Sequence, residues 1–135
     1  MNKIKPCFTL KTRVAYFKAI EAGESVSYNR GYKVDKLSRI VTLPIGYGDG
    51  YRRAISRKGS VLIRDHRYPI AGTICMDMTM IDIGDKGTAY VGDEAVLIGR
   101  QGNSEITMEE IAGICETNCY EILCYFNERI PRIYT

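Results

Sequence analysis

"SVLIRDHRYPIAGTI", residues 60–74, is the stretch from which the fold class is read. It predicts two short strands, with apolar and β-branched residues on either side of the polar turn "RDHRYP". Working outward, "MTMIDIG" (78–84) and "EAVLIG" (94–99) predict two more strands, each closed by glycine. Upstream, "RIVTLPI" (39–45) and residues 25–29 predict strands, and Phe8 to about Ile20 a single long, half-exposed one, with the turn "EAGE" after it. Many short strands at this spacing suggest a barrel or a sandwich. Helical signals come late. Thr107 followed by Glu110 is a capping-box pattern opening "MEEIAGIC", and Asn118 with Glu121 repeats it before "YEILCYF". The expected fold is one mainly β, barrel-like domain over residues 1–135 with two short helices near its C-terminal end.

Composition bounds the function. A chain of 135 residues is the size of one ordinary domain, and 45% hydrophobic with 26% charged residues is a globular profile. No apolar run approaches the roughly 18–20 residues of a membrane span, and "MNKIKPCFTL" lacks the apolar centre of a secretory signal, so the expected setting is cytoplasmic. The formal charge of +3 is spread along the chain apart from "RRAISRKG" (52–59), which reads as a solvated loop and not as a nucleic-acid surface. Five cysteines, Cys7, Cys75, Cys115, Cys119 and Cys124, form no C-x-x-C pair and read as reduced thiols. With His66 the single histidine and remote from the last three, no metal centre is expected.

Motifs that would carry chemistry by themselves are few. Gly46, Gly48 and Gly50 in "GYGDGYRR" mark a loop; their spacing is not that of a dinucleotide fingerprint, and no amphipathic helix follows. His66 reads as a solvated turn residue. Ten tyrosines are the unusual feature. A phenol has an ordinary pKa of about 10 and is neutral at working pH, so spacing alone assigns Tyr28 to packing.

A set of segments points elsewhere. "VSYNRGY" (26–32), "LPIGYGDGYRR" (43–53), "PIAGTICMDMTMID" (69–82), "VGDEAVLIGRQG" (91–102) and "CYEILCYFNERIPRIY" (119–134) resemble, in order and across nearly the whole chain, the successive motifs of the C-terminal domain of the alanine racemases. The resemblance implies an enzyme interconverting L- and D-alanine for cell-wall precursor supply. Its cofactor, pyridoxal 5′-phosphate, is held by a lysine of an N-terminal eight-stranded α/β barrel, and that barrel is expected to lie outside these 135 residues. A chain without it is expected to be inactive alone. Removal of a proton from either face of Cα needs a base on each face, and one lysine serves only one. The family draws the second base from the C-terminal domain of the partner subunit in a homodimer, and Tyr28 aligns with it. To act near neutral pH that phenol needs neighbouring positive charge, and no donor for it is identifiable in this chain. Met76 aligns with the residue whose backbone N–H binds the substrate carboxylate, Tyr47 and Arg53 with residues lining the substrate entrance, and Tyr120 with a tyrosine reaching the cofactor phosphate. Two positions depart from the family pattern: Asn29 stands where glycine often follows the tyrosine, and Gly31 where threonine is common. Two alternatives stay open, a serine or broad-specificity racemase of the same family and a small β-barrel that only binds RNA or protein.

Overall fold

The computed structural model describes residues 5–27 and 30–135. Ten strands and two helices follow one another in the described chain: β1 (Leu10–Arg13), β2 (Tyr16–Ile20), β3 (Ser25–Val26), β4 (Tyr32–Lys33), β5 (Ser38–Leu43), β6 (Ser60–Ile63), β7 (His66–Pro69), β8 (Thr79–Asp82), β9 (Glu94–Gln101), β10 (Ser104–Ile106), α1 (Met108–Ile114) and α2 (Cys119–Tyr125). The domain is mainly β with two seven-residue helices at its C-terminal end, as the sequence predicts.

The strands are antiparallel and distribute over three sheets. β9 is the hub of the largest, pairing with β1, β6 and β10, while β7 folds back on β6. The β6–β7 turn is Arg64–Asp65, because Ile63 pairs with His66 and both turn residues have positive φ, 51° and 63°. His66 is therefore the exposed first residue of a strand, where a turn position was expected. The runs Val61–Leu62–Ile63 and Ala95–Val96–Leu97–Ile98 do not alternate, because both faces of this sheet are covered; every one of these side chains is buried. Fully burying a leucine such as Leu62 or Leu97 contributes about 1.5–3 kcal/mol.

The long strand expected from Phe8 to Ile20 is two. β1 belongs to the β9 sheet, and β2 pairs with β5 in the second sheet, whose order is β2-β5-β8. The break falls at Val14 and Ala15, whose N–H groups donate to Asp93 and Thr42 carbonyls, one in each direction of the handover. Side-chain alternation continues through such a crossing, so the pattern could not reveal it. The strand expected over residues 25–29 is shorter, Ser25–Val26, and forms a small ribbon with β4. Its Val26 and the Tyr32 of β4 rest on a satellite core of Ile20, Val34, Ile40 and Ala71. The main core gathers Val41, Leu43 and Ile81 with the β6 and β9 runs and the inner faces of both helices, Met108, Ile111, Ala112 and Ile122. Cys7, Cys115, Cys119 and Cys124 are free thiols.

Both helix starts obey their local signals. The Thr107 hydroxyl accepts the Glu110 N–H at 3.0 Å, and the Asn118 side chain accepts the Glu121 N–H at 3.0 Å. The glutamates do other work. Glu110 takes the Arg67 guanidinium at 2.6 Å, whereas Glu121 accepts the Thr117 and Tyr125 hydroxyls, which hold its carboxyl below the usual carboxylate range.

Candidate active site

Three segments converge beside the second sheet. The glycine-rich loop after β5 forms a 3-10 turn over Tyr47–Asp49, and its backbone lies directly on that of the turn before β8. The Tyr47 N–H donates to the Cys75 carbonyl at 3.0 Å, and the Gly48 N–H to the Met76 carbonyl at 2.8 Å. Glycine is needed at position 46 for closeness alone: a Cβ there would stand 2.6 Å from the Met76 carbonyl carbon, while the backbone is ordinary extended chain. The turn itself closes through Cys75 N–H to Met78 O at 2.9 Å, and the Ile74 N–H donates to the Ser56 hydroxyl at 2.8 Å. Thr79 adds a buried bond from its hydroxyl to the Ile45 carbonyl at 2.7 Å.

The outcome is that Tyr47 and Met76, 29 positions apart, lie on backbone segments bonded to each other, and both are exposed, 42% and 51%. Arg53 opens a second 3-10 turn, Arg53–Ile55, and is exposed. Its neighbour Arg52 stacks over the Tyr125 ring at 4.0 Å, a cation–π contact within the solvated basic loop expected from the sequence. Tyr120 stands apart, 82% exposed in the first turn of α2, on a groove with Met108, Cys119 and Leu123. Tyr28 lies outside the described residues, as does Asn29; the expectations placed on them are taken up as proposals below.

Residues that the sequence did not single out hold this arrangement. Asp49, buried in the glycine-rich loop, accepts the Gly46 N–H at 3.1 Å and pairs with Arg129, whose guanidinium lies 80 positions along the chain. That contact raises the Arg129 pKa, through the hydrogen bond first and the carboxylate charge second. Asn127 completes the tether, donating from its side chain to the Gly48 carbonyl at 2.6 Å. A carboxylate among five glycine and tyrosine residues in "GYGDGY" is the signal that could have marked Asp49 as a loop staple. Ser27 joins the β3 segment to Thr73, and Tyr32 donates its hydroxyl to Asp82 at 2.8 Å. Burial, then that bond, pushes the Tyr32 pKa up to about 12. Deeper in, Tyr51 is fully buried, which raises its pKa, and its hydroxyl finds no hydrogen-bond partner among the described residues.

The family model for the alanine racemase C-terminal domain matches residues 7–134. The chain belongs to that family. It is 48% identical over 132 residues to the alanine racemase of Symbiobacterium thermophilum, spanning 98% of this chain and 35% of that protein. The alanine racemase 1 of Clostridium acetobutylicum is 44% identical over 131 residues, with 97% and 34% covered. Among solved structures, the alanine racemase of Bacillus anthracis with bound L-Ala-P superposes with a TM-score of 0.94 at 36% identity, over 99% of this chain and 34% of that one. The alanine racemase from E. faecalis gives 0.91 at 37% identity. This alanine racemase C-terminal domain therefore spans about a third of the length of the relatives it matches. No helix among its described residues is long and apolar enough to cross a membrane.

Proposed function

We propose that this chain is the C-terminal domain of a pyridoxal-phosphate-dependent alanine racemase, an isomerase that works as a homodimer with its active site where two subunits meet. The observation that carries this reading is the family match across residues 7–134. The cofactor is held mainly by a preceding α/β barrel. The donor set here suits the rim of that site: the exposed Tyr120 phenol can donate to a phosphate oxygen. When bound, pyridoxal phosphate supplies the electron sink that makes the Cα proton removable.

The residues of this chain then divide the remaining tasks. Tyr28 takes the Cα proton of L-alanine on the face that the barrel's lysine does not reach, and returns a proton there in the reverse direction. The Met76 N–H donates to the substrate carboxylate. A backbone donor helps only if it does not have to reorganise, and the bonds from Tyr47 and Gly48 to the Cys75 and Met76 carbonyls support that role. Tyr47 and Arg53 line the way in, with a phenol and a guanidinium suited to an anionic amino acid.

The test is chiral chromatography of the complete protein, loaded with pyridoxal phosphate and given L-alanine or L-serine. D-alanine should form, and faster than D-serine, while the 135-residue chain alone should form neither and lose the cofactor on dialysis. Absence of D-alanine from the complete protein, or a preference for serine, would overturn the reading. In deuterated water, Tyr28→Phe should slow exchange of the L-alanine Cα proton by about 10²–10⁴-fold and largely spare that of D-alanine.

A further inference from the structure

Ser27 precedes the proposed base directly in the chain, and its side chain is engaged twice by one residue. The Ser27 hydroxyl donates to the Thr73 carbonyl at 2.8 Å and accepts the Thr73 N–H at 2.9 Å. Both backbone groups are those of Thr73 in "GTICM", three residues before Met76. Ser27 reaches them at φ 73°, the left-handed region that a residue with a side chain rarely occupies. The opposing backbone comes close enough only because position 72 is glycine: a Cβ there would stand 2.7 Å from the Ser27 Cβ, and its own φ is 76°. A strained residue persists where its surroundings over-determine it, and here two hydrogen bonds and a close backbone approach do so.

The other end of the same strip is equally fixed. Ile74 N–H is held by the Ser56 hydroxyl, and the Cys75 and Met76 carbonyls by the glycine-rich loop. The clamp thus ties the segment leading into Tyr28 to the rigid strip that ends in Met76. We infer that Ser27 is a positioning residue for the proposed base: its hydroxyl, bridged to both backbone groups of Thr73, fixes the chain immediately before Tyr28 to the strip that ends in Met76. The inference rests on the reading of Tyr28 and Met76 given above. Its consequence is selective. Loosening the clamp should impair proton transfer on the face served by the tyrosine and spare the lysine face, whereas general damage to the domain would affect both.

The experiment compares Ser27→Ala, Ser27→Gly and Tyr28→Phe in the complete, cofactor-loaded protein, measuring Cα deuterium exchange of L-alanine and of D-alanine separately. Ser27→Ala removes the hydroxyl and keeps the unfavourable backbone; Ser27→Gly removes the hydroxyl and relieves it, so a foldable variant is retained even if the alanine protein is unstable. Both should slow exchange from L-alanine by about 10–100-fold, the loss expected when a reacting group is displaced by about 1 Å. Exchange from D-alanine and the KM for D-alanine should change less than threefold. Thr73→Val, which keeps the two backbone groups, should behave as the parent. If Tyr28→Phe is isomer-selective but the Ser27 variants slow both isomers equally, or neither, the positioning role is wrong and the base stands. If Tyr28→Phe is itself unselective in an active enzyme, the reading of the base fails and the inference with it.

Discussion

Replacing Gly46 by alanine should separate two backbones whose contact assembles the candidate site. An added Cβ would lie 2.5 Å from the Met76 carbonyl oxygen and 2.6 Å from its carbon, and ordinary contact begins at 3.4 Å. The obstacle is backbone, which has no rotamer to change, and the Cys75 carbonyl oxygen would lie closer still, so the loop must lift by at least about 0.9 Å, the difference between contact at 3.4 Å and at 2.5 Å. A displacement of that size takes the Tyr47 and Gly48 hydrogen bonds, now 3.0 and 2.8 Å, out of range. Each is worth roughly 0.5–1.5 kcal/mol net, and up to about 3 when the groups are left buried without partners, giving a loss of about 2–5 kcal/mol. For a domain of this size that lowers Tm by roughly 6–20 °C. Gly84→Ala is the matched control, because Gly84 has φ 72° with nothing within 4 Å of its would-be Cβ. Only the left-handed penalty applies there, about 1–2 kcal/mol, partly offset by a stiffer unfolded chain. Urea and thermal unfolding of both variants measure the two costs side by side. A Gly46 variant no less stable than the Gly84 variant would refute the claim that close approach, and not backbone conformation, demands glycine at 46.

Tyr32 makes stability fall at high pH. Its pKa is raised to about 12 in the folded state from about 10 in the unfolded one, so its contribution is complete below pH 10. Above that, the unfolded chain releases the proton first, and the contribution is lost between about pH 10 and 12. The stability difference between the parent and Tyr32→Phe, taken from urea titrations at pH 9 and pH 11, should therefore shrink with rising pH; a constant or growing difference would contradict the assignment. Thr107→Ala removes the oxygen that caps α1 and should cost about 1 kcal/mol in urea unfolding, while Thr107→Ser, which keeps the oxygen, should stay within about 0.5 kcal/mol of the parent.

What the sequence determined by itself was local. Thr107 and Asn118 mark their helix starts because a cap is a contact between residues three positions apart. The runs 61–63 and 95–98 could be read as strands because apolar, β-branched residues bounded by turns have few other uses. The five ordered segments carried the family resemblance, which the match over residues 7–134 bears out. What only the tertiary structure decided depends on partners remote in the chain. Nothing in "TLKTRVAYFKAI" tells that Val14 and Ala15 turn to different sheets, since the side-chain pattern is the same whether a strand keeps its neighbour or exchanges it. The short β4 and β10 carry too few residues to show a period, and exist because β3 and β9 offer them unpaired edges. Tyr47 and Met76 meet because glycine lets one backbone lie on another, and Asp49 is acceptable in the interior because Arg129 arrives from the far end of the chain. A buried charge is tolerated only where its counter-charge is delivered, and that delivery is a property of the folded chain as a whole.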